Sequence, residues 1–184
     1  MFALAGSALV SGATLLISGD EAKRMQNVVL ANEGTVAWQG SGALERYAEG
    51  WAQSALIDNR GTFRIENDAG LGTNAASYGE FISINNAGTL VKAGGTATTT
   101  LGGALVNMGL VDVQTGTIAA VSVDQKGQLK VASGAALQLG SGTFRNGSQT
   151  DVATGAVVNL NGSFTFEPTA GLSVASEGQW NYVG

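Results

Sequence analysis

The residues of this chain that could do chemistry are carboxylates. Asp58, Glu66 and Asp68 lie close together, and Glu45, Glu49 and Glu80 stand in two flanking stretches. Paired carboxylates would serve a glycosidase as acid and base or nucleophile, but only when the spacing between them is fixed. Nothing in the sequence fixes it. Asp58 and Asp124 share a register several coils apart, so the expectation is solvated turn carboxylates that discourage aggregation. The chain has no His and no Cys. That excludes Ser-His-Asp and Cys-His sites in their usual forms, disulfides, and zinc held by His or Cys. No calcium loop is present: "ENDAG" is too short to specify one. No glycine-rich phosphate loop follows strand-then-helix order either. The sequence therefore assigns no catalytic residue, no metal ligand and no cofactor.

The aromatic residues Tyr47, Trp51 and Tyr78 are the sharper candidates. On a lobe they could stack on sugar rings while Glu45 and Arg46 bond hydroxyls. They could equally fill the gap beneath the lobe and bury a large apolar area, and packing is the favoured expectation. Trp180 and Tyr182 fall on an inward register and are expected to cover the last coil. "GTATTT" (95–100) raises ice binding, but its Thr residues do not recur at that place in other coils.

What must position these residues is a repeat. Aligned on Gly34, Gly61, Gly88, Gly109 and Gly127, the residues four before are Leu30, Ile57, Ile84, Leu105 and Val123. Those six before are Val28, Ala55, Ile82, Gly103 and Val121. Two after come Val36, Phe63, Leu90, Val111 and Leu129, and four after come Trp38, Ile65, Lys92, Val113 and Val131. This is the period-two signature of strands with one buried face. Lys92 is the exception, and a strand bend turning it outward is the expectation. Two before each glycine stand Asn32, Asn59, Asn86, Asn107 and then Gln125. Asn tolerates left-handed backbone and bonds nearby backbone. In stacked coils its amides would lie about 4.8 Å apart and form an asparagine ladder. A hairpin reading of the same Asn-x-Gly phrases gives no reason for one residue type to hold one register. The phase continues more weakly at Gly162, with Val158 before it and Phe164 and Phe166 after, and at Gly178, with Val174 before it and Trp180 and Tyr182 after.

The pattern predicts an all-β fold: a right-handed, single-stranded parallel β-helix of roughly eight or nine rungs. It forms one domain over 1–184, with insertions near 40–54 and 67–80 that leave the same side of the stack. Within the first, "ALERYAEGWA" is the one stretch of helical composition. Gly at 28 of 184 residues and a charged fraction of 12%, against about a quarter in ordinary domains, suit many short strands and tight turns. The net charge of −5 and the lack of a basic run exclude nucleic acid as an expected partner. No apolar stretch approaches the length of a membrane-spanning helix, and no membrane insertion is expected. "MFALAGSALVSGATLLISG" lacks a basic n-region and reads as the first coils rather than a signal peptide.

"NNAGTLVKAGGTATTTLGGALVNMGLVDVQTGTI", "GQLKVASGAALQLGSGTF" and "TGAVVNLNGSFTF" resemble repeats of large bacterial secreted and cell-surface proteins. Those are the right-handed parallel β-helix regions of adhesin-like and autotransporter-passenger-like proteins. The resemblance covers nearly the whole chain, best from Gly61 onward. It implies an extracellular or cell-surface setting and a non-enzymatic structural or adhesion role. The implied partners are a glycan or host-surface ligand. The alternative is a carbohydrate-binding or polysaccharide-cleaving β-helix, of the kind found in glycan-degrading enzymes and phage tails. A β-helix also exposes unpaired strand edges at both ends. No charged capping helix is evident, so the chain is expected to be a segment of a longer solenoid whose neighbouring segments cover them, with end-to-end stacking as the alternative.

Overall fold

The computed structural model describes residues 3–4, 7–26, 28–46, 55–72, 81–175 and 177–183. Every paired strand in it is parallel, and the described residues contain strands, turns and no helix. The chain winds as a three-sided β-solenoid. One side, here the third face, stacks eight strands in sequence order: Thr14–Ile17, Thr35–Trp38, Thr62–Ile65, Thr89–Lys92, Leu110–Val113, Gln128–Val131, Gln149–Val152 and Gly171–Val174. Numbered as levels 1 to 8, these mark about seven turns from first to last, or about 34 Å at strand spacing. The second face precedes the third in each level, from Ser7–Leu9 and Val28–Asn32 up to Gly142–Phe144 and Phe164–Phe166. The first face begins with Ala3–Leu4, Lys23–Met25 and Leu44–Arg46, and continues through single bridges at Leu71 to Leu101. In levels 5 and 6 the first and second faces run together as the long strands Thr98–Asn107 and Thr117–Gln125.

The sequence closes into this shape because alternate residues are apolar and meet along the axis. Val36, Phe63, Leu90, Val111 and Leu129 form one buried column, and Leu30, Ile57, Ile84, Leu105 and Val123 another. Each buried side chain packs on its equivalent one level away, so one core runs the length of the solenoid. Val121 departs from the expected pattern: it is 53% exposed. It sits where the two faces fuse into one strand, and the register irregularity there puts Ala120 and Val123 inward instead.

Parts of the insertions read from sequence, 40–46 and 67–72, belong to the described solenoid. Leu44–Arg46 is a strand, which removes the start of the helical expectation, and Leu71 bridges both Leu44 and Leu101. What remains between described segments is 47–54 and 73–80, so Tyr47, Trp51 and Tyr78 lie outside the described residues. These segments follow first-face positions one level apart (Leu44 pairs Leu71) and precede neighbouring second-face strands, Ala55–Asn59 and Ile82–Asn86.

Candidate functional site

Side chains gather at the corner between the second and third faces. In levels 2 to 6 this corner reads Asn-x-Gly or Gln-x-Gly. Asn32 donates from Nδ2 to Oδ1 of Asn59 (2.7 Å), Asn59 to Asn86 (2.7 Å), Asn86 to Asn107 (2.8 Å), and Asn107 to Oε1 of Gln125 (2.9 Å). The second N–H of each asparagine amide donates to a carbonyl of the level ahead, that of Thr62, Thr89, Leu110 or Gln128. All five side chains are completely buried. This is the asparagine ladder in full, and its asparagines use none of the left-handed backbone that Asn tolerates. Glu177 alone among the described non-glycine residues has a positive φ. Nor do the paired glycines stand there for turn geometry. A Cβ on Gly61, Gly88, Gly109 or Gly127 would fall inside the carbonyl oxygen of the glycine one level below.

The ladder ends where the corner changes. After Gln125 the same column continues as Phe144 and Phe166, whose rings stack at 4.8 Å and 12°. Phe144 to Thr150 and Phe166 to Leu172 span two residues more than Gln125 to Leu129. Gly162 and Gly178 therefore do not continue the anchor column. Gly162 stacks on Gly140 at the corner between first and second faces, and Gly178 closes a turn onto Ala175 between third and first. Trp180 pairs with Val158 and packs edge-on to Phe144, and Tyr182 pairs with Leu160.

Lys92 is inward and has no exposed surface, against the outward turn expected of it. Its ammonium reaches the carbonyls of Asn67 (2.7 Å) and Gly94 (3.1 Å), Oδ1 of Asp68 (2.8 Å) and Oγ1 of Thr99 (3.0 Å). Thr99 in turn donates to the Asn67 carbonyl. A buried ammonium needs such a set, because it loses its hydration entirely. At Asp68, burial raises the carboxyl pKa. The hydrogen bond from Lys92, the Ala97 and Thr96 backbone N–H groups and the Lys92 charge outweigh it, and the net shift is downward. The cluster pins 67–68, just before the 73–80 loop, to level 4.

Other carboxylates among the described residues also have partners, while Glu49 and Glu80 lie outside the described residues. Asp58 pairs with Arg60 at 3.1 Å and Glu45 with Arg24 at 3.7 Å, while Glu66 accepts from Arg64 and Gln39. Asp58 and Asp124 do share an outward column, through Asn85 and Val106, which places them three levels apart. Arg145 joins Asp124 (2.8 Å) to Glu167 (3.2 Å) across levels 6 to 8. The Arg145 hydrogen bond lowers the Asp124 pKa, and the Asn146 backbone N–H followed by Arg145 lowers that of Glu167. Arg46 is inward and 7% exposed, on the strand that leads into the 47–54 loop.

One feature of the outer surface was not visible in the sequence. The outward column Asp112, Lys130, Asp151 and Ser173 rises along the third face beside Ala132, Ala153 and Ala175, enclosing a shallow groove of about 330 Å³. Gln114 donates to Asp112 (2.7 Å) and Gln128 to Asp151 (3.1 Å). Register sets the Lys130 ammonium stem between the two aspartates. The groove offers hydrogen-bonding groups of both charges over a floor of methyls, a surface suited to a hydroxyl-rich ligand. Asp112, Lys130 and Asp151 are 18 to 21 residues apart in sequence and come together only through strand register. Comparison with protein-family models, with curated proteins and with solved structures finds no match.

Proposed function

We propose that this chain is a non-enzymatic structural and adhesion module: a rigid β-solenoid spacer of a bacterial surface or secreted protein that displays the loops 47–54 and 73–80. One observation carries the reading. The segments 47–54 and 73–80 begin from paired first-face positions, at Leu44–Arg46 and Leu71, and end at the paired second-face strands Ala55–Asn59 and Ile82–Asn86, so their flanking residues lie on adjacent levels. The Lys92 cluster braces the second at its base. The resemblance to surface-protein repeats and the sparse charge support an extracellular setting. A glycan array with the wild-type chain and with Trp51→Ala tests the display role. Binding that disappears on substitution supports it; a wild type that binds no glycan removes the glycan ligand and leaves only the spacer.

The groove favours a second reading, a carbohydrate-binding or carbohydrate-cleaving face. Asp112 and Asp151 lie two levels apart, about 9.6 Å along the stack, near the upper end of carboxyl separations in inverting glycosidases. Lys130 occupies the room where a scissile bond and a water would sit, which favours binding over cleavage. Glycan binding that survives Trp51→Ala but is lost in Lys130→Ala would move the contact to this groove. Release of reducing ends that stops in Asp112→Asn would make it an enzyme.

A further inference from the structure

The asparagine ladder has a direction, and its last member is left with a donor. Each amide donates to the one in the next level. Gln125 accepts at Oε1 from Asn107 (2.9 Å), and its own column then continues as Phe144, whose side chain has no acceptor. The asparagine amides also donate to a backbone carbonyl, always that of the residue just after the anchor glycine one level ahead. In level 7 the equivalent residue is Gln149, and Gln125 Nε2 makes no bond there or to any other described residue. Two more buried atoms lack partners among the described residues: Oγ of Ser148 and Oγ1 of Thr150, on either side of Gln149. Gln125, Ser148 and Thr150 are all buried, at 0–1% exposure. Buried polar groups without partners are rare in folded proteins.

We propose that this corner binds one water molecule, held by Gln125 Nε2, Ser148 Oγ and Thr150 Oγ1, which caps the ladder and ties level 6 to level 7. Backbone bonds bring the three groups together. The Arg145 N–H donates to the Gln125 carbonyl (2.8 Å) and the Gln149 N–H to the Gly127 carbonyl (3.0 Å), so both ends of the level-7 corner are seated on the ladder's last corner. Register sets Ser148 over Gly127 and Thr150 over Leu129. A hydroxyl thus stands where the level below has only its anchor glycine, and the Gln125 amide, directed along the stack like the others, meets the pair of hydroxyls. Room comes from two sources. The corner is two residues longer than the one beneath it, and Thr150 is a smaller side chain between Leu129 and Leu172 in its column. The chemistry selects water. The amide nitrogen only donates, whereas each hydroxyl can donate or accept. A water accepts from the amide and bonds both hydroxyls, which makes about the three bonds usual for a buried water. An ion would lie there without a counter-charge. The charged side chains of this region, Asp124, Lys126, Arg145 and Glu167, pair with one another on the outer surface.

A crystal structure of the wild-type chain should show one water about 2.7–3.2 Å from all three atoms. Crystals grown in bromide should show no anomalous peak at the site. Oxygen-17 magnetic relaxation dispersion counts long-lived internal waters in solution. Ser148→Ala combined with Thr150→Val should lower its amplitude by the contribution of one molecule, with wild-type circular dichroism. Should the double variant fail to fold, the wild-type crystals still decide. A direct hydrogen bond from the Gln125 amide to either hydroxyl with no water beside it overturns the proposal. So does a bromide peak in place of the water, or an unchanged dispersion amplitude in the folded variant.

Discussion

Asn86 stands in the middle of a buried amide column, and its side chain has no slack. It accepts from Asn59 and donates to Asn107 and to the Leu110 carbonyl. Alanine there leaves the Asn107 and Leu110 oxygens without those donors in a dry interior. Asn86→Ala should therefore cost about 2–4 kcal/mol, read as a lower urea midpoint at unchanged slope. An unchanged midpoint would mean the ladder only fills space. Lys92 is the harder case. Its inward register was legible in the sequence, but its burial was not, because one of its acceptors is the Asn67 carbonyl, at a corner remote in the chain. Side-chain types do not encode where a carbonyl points. Lys92→Met should cost about 3 kcal/mol, since it strands partners built around a charge. The pH dependence has a definite sign. The folded-state pKa of Asp68 is lowered from its ordinary value of 3.8. The unfolded chain thus takes up the proton first, and the stability Asp68 contributes is present above that value and lost as pH falls through the lower, folded one. Asp68→Asn should remove this part of the acid loss, seen as a smaller fall in urea midpoint between neutral and strongly acid pH. An equal fall in both proteins would sink the assignment.

At the scale of the element, two kinds of glycine do different work. Gly88 has no left-handed φ, but it stacks so closely on Gly61 that a Cβ would overlap the Gly61 carbonyl. Gly134 has φ 75° and open space around its Cα. Gly88→Ala should then cost about 3 kcal/mol, by forcing two levels apart. Gly134→Ala should cost only about 1 kcal/mol, the left-handed penalty alone. Thermal melts of the two variants rank them, and a larger loss at Gly134 would show that turn conformation outweighs close stacking. The same distinction explains what the sequence concealed. Five Asn-x-Gly or Gln-x-Gly corners were legible because ladder and glycine columns both demand one residue type at one register. At both ends the corner lengthens and those demands lapse. Period-two alternation survives such a change, so Gly162 and Gly178 fit the pattern while belonging to other corners. Val121 fails for a related reason, since alternation cannot reveal where two faces fuse into one strand. The groove of Asp112, Lys130 and Asp151 was hidden because its members meet only once coil lengths are known.

For the whole molecule, each coil contacts only its neighbours, so stability should be close to a sum over levels. The sequence could show this framework because stacking demands the same residue types at the same register in level after level. The nearest-neighbour claim permits a severe test by excision. Removing Met108–Gln125 deletes one full coil and joins Asn107 to Lys126, which keeps an Asn-Lys-Gly corner. Leu129 would then pack on Leu90 and Val131 on Lys92, because Val111 and Val113 now stand between them in those columns. Ala136 would pair with Thr98 in place of Thr117, and Phe144 would follow Asn107 as it now follows Gln125. Every inward residue stays inward. The shortened chain should fold, melt cooperatively and lose about 1–3 kcal/mol, the share of stability belonging to one coil. Removing Met108–Asp124 instead leaves one residue too many. A shift of one residue turns side chains to the opposite face, so Leu129 and Val131 would swing outward and Lys130 inward, and the strand pattern of a folded solenoid should vanish from the circular dichroism. If both excisions fold, or neither does, stability here is not a sum of registered neighbours.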